Sequence, residues 1–490
     1  MLRLTWVQPE DLIGHELRQA AQDGRDAAAI ERRWTEAGGH LAPERAGASP
    51  QSATTELRDL AERLMTELAR EPSPLAAREP TGLPAIRALN PAAPPAPAHP
   101  TPHAEPSPTP HAEPSPTPHD EPSGRLGATD PRPDREQRRL HAAWLGRAVG
   151  CLLGKPVEKL PLTGIRAIAE STSNWPLTTW FTERDLDPRI AAAYPWNRRS
   201  RPTSLAENID GMPEDDDLNY PLLNLMLLQR HGHDFTTGDV AKLWLDELPA
   251  GRTFTAERIA YRNLLDGLEP PHTATHRNPF REWIGAQIRA DVFGWTNPGD
   301  PAKAAELAHR DAVLTHTANG VYGEMFVAAA IAHAAGPAPT TIHETLATAL
   351  AHIPPKSRYA QAIRVGIDTA QAEPTGTPAG FEQVVDTLHA RYAPSHHWVH
   401  VLPNAALLAA ALTHSDGDFT GAICRAVSGG WDTDSNGATA GSIAALLAGS
   451  PEALGEHWTA PLKNRLATTV GGFDGIGFDE LARLTLKART

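Results

Sequence analysis

The sequence predicts an all-α protein, and three features of the chain support that prediction. Helical patterns rich in alanine and leucine recur between residues 136 and 448. The strict alternation of apolar and polar residues that marks a half-buried strand is scarce. Aromatic residues make up only 6% of the chain, so helices rich in alanine can pack closely against one another.

Residues 135–490 are predicted to form one helical domain. This length is large for a single core but within the range that single domains reach. The apolar periodicity predicts helices at 136–153, 217–232, 301–313, 321–335, 341–353, 357–371, 381–391, 402–413, 417–428 and 436–448.

Residues 1–71 are predicted to form a small helical module. Pro9 followed by two acidic residues is a favourable helix start. Apolar stripes predict helices at 10–37 and 53–70. Nothing in these helices indicates chemistry, so we expect a docking or capping role, with a possible partner bound through them.

Residues 72–134 are predicted to form a disordered linker. An octapeptide, Pro-Thr-Pro-His-Ala-Glu-Pro-Ser, occurs at 100–107 and 108–115, and with one change at 116–123. Proline at this density prevents helix and sheet and leaves the chain extended. The histidines of the repeats have no partner ligands nearby in sequence, which favours a solvated spacer over a metal site.

Charge and cysteine content exclude several classes of protein. The net charge of −14 argues against a general nucleic-acid or membrane-surface binder. Two cysteines rule out a disulfide framework and suit a reducing compartment. No apolar run approaches the ~20 residues of a membrane span, and the early acidic residues do not suit a signal peptide. We therefore expect a cytoplasmic protein.

The strongest chemical signal is an acidic helix start within residues 428–448. Asp432 and Asp434 lie at the mouth of a helix that carries no other charge, and Ser435 lies beside them. Burying a carboxylate is costly unless it is paired or binds a cation. A helix N-terminus offsets only part of that cost, and the remainder predicts a metal.

A second acidic stretch places Asp215, Asp216 and Asp217 in a row before another apolar helix. A single Asp would be an ordinary helix cap, but three adjacent carboxylates repel one another, and a divalent cation relieves that repulsion. All-oxygen ligand sets select Mg²⁺, Mn²⁺ or Ca²⁺ over zinc. Because the two stretches together offer five carboxylates and a hydroxyl, we expect two Mg²⁺ ions, with Mn²⁺ possible.

Two further segments carry candidate residues that also have ordinary structural explanations. Glu158 follows the end of a glycine-rich helical segment, where a solvated Glu is common. His316 precedes an Asn-Gly pair on a loop that leads into an apolar helix. A lone histidine in such a place is more often structural than a ligand.

Taken together, four segments resemble motifs of the ADP-ribosylglycohydrolase family, in the family's order, over roughly residues 138–448. Residues 146–158 resemble its opening helix with a Gly-x-Pro-x-Glu end. The consecutive carboxylates of residues 214–217, Glu-Asp-Asp-Asp, resemble the Asp-Asp pair of its Thr-Asp-Asp-Thr metal motif. Residues 315–323 are similar to its histidine-containing substrate loop, and residues 430–435, Gly-Trp-Asp-Thr-Asp-Ser, to its Gly-Asp-Thr-Asp-Thr metal motif. Each motif is weak alone, but all four in order are specific.

The resemblance implies an all-α fold with a binuclear Mg²⁺ or Mn²⁺ site, and hydrolysis of the glycosidic bond between ADP-ribose and a protein or small-molecule acceptor. It implies catalytic roles for Glu158, Asp432 and Asp434. The implied metal ligands are Asp215, Asp216, Asp217, Asp432, Asp434 and Ser435. The implied substrate contacts are His316, Gly320 and Tyr322.

Four positions depart from the family motifs. Asp215 stands where the commoner motif has Thr, and Leu218 replaces its second Thr. Trp431 is inserted beside the second metal motif, and Ser435 replaces a Thr there. Oxygen ligands are retained, whereas Leu218 and Trp431 leave the acceptor unassigned.

Two other functions are compatible with parts of the sequence. A domain that binds ADP-ribose or a modified protein without cleavage would share the fold, although the intact ligand set counts against it. A terpene cyclase would also be all-α, and Asp-Asp-x-x-Asn occurs at 215–219. The second Mg²⁺ motif and the aromatic-lined cavity of such an enzyme are not evident.

Overall fold

The structure is a computed structural model that describes residues 3–41, 47–90 and 132–489. Within these ranges the regular structure is helical and the β-bridges are isolated, so the all-α prediction is confirmed. None of the described helices combines the length and apolarity needed to cross a bilayer.

Numbered in chain order, the N-terminal helices are α1 (Pro9–Gln22), α2 (Ala28–Glu36), α3 (Thr55–Leu68) and α4 (Leu83–Ala88). The next group is α5 (Arg132–Gly154), α6 (Leu162–Ser171), α7 (Pro188–Ala193), α8 (Arg201–Ser204), α9 (Asp216–His231), α10 (Thr237–Glu247), α11 (Thr255–Leu265), α12 (His272–Thr275) and α13 (Asp291–Trp295). The last group is α14 (Pro301–Ala312), α15 (Ala318–Ala334), α16 (Ile342–Leu350), α17 (Arg358–Ala372), α18 (Phe381–Tyr392), α19 (Val401–His414), α20 (Phe419–Ser428), α21 (Thr433–Ala448), α22 (Glu456–Thr459) and α23 (Phe478–Lys487).

All ten helices predicted in the C-terminal part are present, and their ends lie within a few residues of the predicted ones. The single helix predicted at 10–37 is instead two helices. The chain turns between them at Gly24, whose φ of +71° suits glycine. The short helices between residues 160 and 295 escaped prediction because most span too few turns to show a period.

Two helices, α5 and α21, pack backbone to backbone at the centre of the fold. A Cβ atom on Gly150 would lie 1.9 Å from the carbonyl oxygen of Gly437, and one on Gly437 would lie 2.2 Å from that of Gly150. Only glycine permits this approach. The contact sets the end of α5 beside the start of α21, where Thr433 donates a hydrogen bond of 2.8 Å to the carbonyl oxygen of Gly154.

The Gly150→Ala variant should be strongly destabilised, because its new methyl group must push two buried helices apart. Overpacking a close-packed core typically costs about 1–3 kcal/mol, and here the obstacle is rigid backbone, so we expect about 3 kcal/mol from chemical denaturation. The matched control is Gly238→Ala in α10, where the nearest atom to a new Cβ is 3.5 Å away. Equal stability of the two variants would contradict the packing argument.

The N-terminal segment packs directly on the helical domain, so it is not a separately tethered module. The ring of Trp6 lies 5.5 Å from Phe280 and 5.8 Å from Trp283, between centroids. The buried Glu16 side chain forms an ion pair of 2.7 Å with Arg281. The apolar face of α1 therefore packs within the chain, with Ile13 fully buried, and a partner bound through these helices stays a prediction.

The predicted linker begins too early, because residues 72–90 are structured and docked. Glu79 is buried and its carboxylate accepts hydrogen bonds from Arg358, the shortest 2.7 Å. Ile86 of α4 is also buried. The composition of this segment predicted a linker because the ion pair that holds it, between Glu79 and Arg358, joins residues far apart in the chain. The remaining linker prediction falls largely on residues 91–131, which lie outside the described residues.

Candidate active site

The two acidic stretches converge on one cavity of about 660 Å³, together with the segment that follows α5. Asp215 caps the N-terminus of α9, and Asp432 immediately precedes α21. The cavity is lined by every residue predicted to be catalytic or to bind metal, namely Glu158, Asp215, Asp216, Asp217, Asp432, Asp434 and Ser435. The predicted convergence of these stretches is therefore observed.

One group in the cavity, here called the carboxylate triad, consists of Glu158, Asp432 and Asp434. Their ligand atoms all lie within 4.8 Å of one another. Asp432 and Asp434 are each only 7% exposed. Asn197 donates a hydrogen bond of 2.8 Å to Glu158, and the backbone N–H of Asp432 donates one of 3.1 Å to Asn404. The triad is thus buried and held by neutral amide groups.

The second group, here called the Asp215 cluster, consists of Cys151, Asp215 and Asp217, whose ligand atoms also lie within 4.8 Å of one another. The ammonium group of Lys155 donates to Asp215. The buried guanidinium of Arg147 lies 3.3 Å from Asp217, by Nη2 and Oδ1. Two carboxylates of this cluster are therefore matched by two cations of the protein itself.

Burial and mutual repulsion act differently on the two groups. Burial, and then the charges of Asp434 and Glu158, raise the pKa of Asp432 well above its ordinary value. Burial and then the charge of Glu158 raise the pKa of Asp434 to about 7. Burial would also raise the pKa of Asp215, but the Lys155 ammonium outweighs it and the pKa is lowered. Within the described part of the chain, the triad is paired only through Glu158, with a half-exposed Lys159, whereas Asp215 is paired with the buried Lys155.

The metal-free protein should lose stability relative to its Asp434→Asn variant as pH rises. The pKa of Asp434 is about 7 when folded and 3.8 when exposed, so between these values the folded state binds the extra proton. Stability contributed by this group therefore falls as pH rises from about 4 to about 7. Melting temperatures measured in chelator at pH 4 and pH 7 test this, and a difference between variant and wild type that does not grow with pH would contradict it.

The donor set of the triad suits a hard divalent cation. Carboxylate oxygens converge, and the raised pKa values of Asp432 and Asp434 mark a place where positive charge is stabilising. Asp216, whose pKa burial and the neighbouring Asp215 raise well above its ordinary value, faces the same cavity. Burial and then the charge of Asp215 raise the pKa of the Cys151 thiol, which keeps it neutral and unsuited to bind metal.

The predicted substrate residues His316, Gly320 and Tyr322 are not among the residues that line this cavity, and their contact with substrate stays a prediction. His316 is fully buried, and burial lowers the pKa of its imidazole well below the ordinary value. Tyr322 is also buried, and its hydroxyl donates 2.5 Å to the carbonyl oxygen of Pro80. Gly320 is glycine because a Cβ there would lie 2.5 Å from the backbone of Arg281. The docked N-terminal segment thus covers the loop that was expected to contact substrate.

The structure adds site residues that sequence reasoning missed. Lys155 lies within residues 146–158, the segment that resembles the opening motif of the family. A charged residue next to the glycines of that segment was the sequence signal that could have identified it. Asn197 and Asn404 carried no signal, because polar residues in loops and helices are common. Trp6 and other residues of the N-terminal segment form part of the cavity wall, which no local pattern indicated.

The fold and the cavity define an all-helical protein with a buried carboxylate site between the starts of two helices. A family model described as ADP-ribosylglycohydrolase matches residues 132–489, and the chain belongs to the ADP-ribosylglycohydrolase family. A solved structure described as an "ADP-ribosylglycohydrolase-related protein complex" is similar at 20% identity and a TM-score of 0.46, covering 73% of this chain and 98% of that chain. A search of curated proteins finds no match.

Proposed function

We propose that the chain is a divalent-cation-dependent hydrolase that cleaves the glycosidic bond between ADP-ribose and an acceptor and releases ADP-ribose. Membership of the family supports a glycohydrolase. The observation that carries the proposal is the carboxylate triad, in which Glu158 meets two buried carboxylates from a segment more than 270 positions away in the chain. Such a cluster has no packing purpose that apolar residues would not serve better.

Within this proposal, Asp432 and Asp434 hold the cation, with Asp216 facing the same cavity. When bound, the cation would supply positive charge that fixes the ribose hydroxyls. Glu158 is the acid–base residue of the proposal, because its side chain, 18% exposed, is the one of the triad that reaches the cavity mouth. Asn197 and Lys159 each lie 2.8 Å from one of its two oxygens, and these contacts orient the group for proton transfer.

A second cavity, here called the basic cavity, suits the remainder of ADP-ribose. It has a volume of about 970 Å³ and shares Lys159 and Trp398 with the first cavity. Its walls carry four cations, and no carboxylate is among the described residues that line it. Trp431 lines it as well, stacked on His389 at 4.1 Å between ring centroids. Cations suit a diphosphate and aromatic faces suit a base, so Trp431, which the commoner family motif lacks, gains a role in substrate binding.

The proposal is tested by incubating the purified full chain with proteins ADP-ribosylated on arginine or serine and with small ADP-ribosyl compounds. We expect free ADP-ribose from at least one substrate with Mg²⁺ or Mn²⁺, and a loss of more than about 100-fold in chelator. Titration calorimetry with ADP-ribose runs in parallel. Binding without turnover of any substrate would replace the hydrolase with the non-catalytic binding module.

A further inference from the structure

The Asp215 cluster already contains the charges that a metal ion would otherwise supply. Lys155 is only 7% exposed, and its ammonium group contacts the Oδ2 atom of Asp215. The other oxygen of Asp215 accepts a hydrogen bond of 2.9 Å from the backbone N–H of Asp217. Both oxygens of the carboxylate are therefore engaged within the protein.

Asp217 is engaged in the same way. Its Oδ1 atom lies 3.3 Å from the buried Arg147 guanidinium, and its Oδ2 atom accepts a hydrogen bond of 3.3 Å from the Ser435 hydroxyl. Arg147 is itself anchored, because it donates 2.7 Å to the carbonyl oxygen of Asp217 and 2.8 Å to Asp291. These cations belong to the packed interior and cannot leave without unpairing buried charges.

The carboxylate triad presents the opposite charge balance. Three carboxylates converge there, and among the described residues one cation forms an ion pair with them, the Lys159 ammonium at 2.8 Å from Glu158. The Lys159 side chain is 48% exposed, so solvent screens it. One divalent cation would neutralise the remaining two charges.

We propose that the Lys155 ammonium takes the place of one of the two cations expected from the family motifs, so that the site binds a single divalent ion, at the carboxylate triad. The inference rests on the proposed function in one respect, that the site binds a metal. It does not depend on which reaction the site catalyses. It explains why Asp215 stands where the commoner motif has Thr, since a carboxylate is needed to pair the buried lysine.

The test is to count bound ions in the metal-stripped full chain, with Mn²⁺ as probe. Equilibrium dialysis with metal analysis should find one Mn²⁺ per chain, and the electron paramagnetic resonance spectrum should be that of an isolated ion. Two ions per chain with an exchange-coupled spectrum would overturn the inference while leaving the hydrolase intact. One ion per chain without ADP-ribose release would support the single-ion site and overturn the proposed hydrolase. No bound ion would overturn the single-ion site and the proposed hydrolase together.

Two variants sharpen the measurement. Lys155→Met removes the charge at similar length and frees Asp215, so the count should rise from one to two Mn²⁺ per chain. Its control is Lys159→Met, which removes the neighbouring ammonium and should leave the count at one. Should Lys155→Met fail to fold, Asp215→Asn tests the same assignment from the side of the carboxylate. Its count should stay at one with affinity within about threefold, because Asp215 is not a ligand here, and loss of an ion would contradict the inference.

Discussion

Asp432→Asn is expected to abolish ADP-ribose release and to raise the melting temperature of the metal-free protein. The amide keeps the shape of the carboxylate but removes one of the repelling charges of the triad. Losing a group that merely supports a metal ligand costs about 10–100-fold, so losing the ligand itself should cost more than about 100-fold in turnover. Release of ADP-ribose and thermal denaturation in chelator measure the two effects.

The opposite signs of these two effects are diagnostic. A variant that is inactive because it misfolds would melt at a lower temperature, whereas relief of repulsion raises it. The matched control is Asp416→Asn, whose side chain is 83% exposed and lies 3.1 Å from His343 at the surface. It should leave both quantities unchanged. Full turnover by Asp432→Asn would remove the proposed role of the triad.

Deleting residues 1–90 should prevent the remaining chain from folding. Arg281 would lose Glu16 and Asp23, and Arg358 would lose Glu79. Leaving a buried charge without its partner costs about 3–5 kcal/mol. Arg281 loses both ion-pair partners, whereas Arg358 keeps Glu282 at 2.9 Å, so these losses consume a large part of the ~5–15 kcal/mol that stabilises a typical domain. Exposure of the apolar surface beneath α1 adds to the cost. The measurements are soluble yield, circular dichroism and cooperative thermal unfolding.

The matched control removes a different part of the N-terminal region. Deleting residues 100–123, the three octapeptide repeats, should leave melting temperature and turnover unchanged, because the composition predicts a spacer there. A protein of residues 91–490 that unfolds cooperatively would contradict the structural role of the N-terminal segment. It would restore the interpretation of that segment as a separate module.

The helices and the acidic stretches could be derived from the chain alone, because both are local signals. A period of 3.6 residues requires only neighbours in sequence, and a row of carboxylates at a helix start carries its own electrostatic cost. The two glycines of α21, Gly437 and Gly441, are equally visible in the chain, and both lie against the backbone of α5. The order of the four motifs was then enough to predict the family, and the family model that matches residues 132–489 confirms it.

Charge partners were decided only by tertiary structure, because they join residues that no local pattern relates. Lys155 and Asp215 are 60 positions apart, and Glu79 and Arg358 are 279 apart. Their pairing assigns Asp215 to a lysine, and it assigns residues 72–90, the start of the predicted linker, to the folded domain. The hydrogen bond from the Tyr322 hydroxyl to Pro80 likewise depends on which surface the N-terminal segment covers. Periodicity and local charge specify which elements form, whereas the energy of a buried ion pair depends on where the fold brings its two halves.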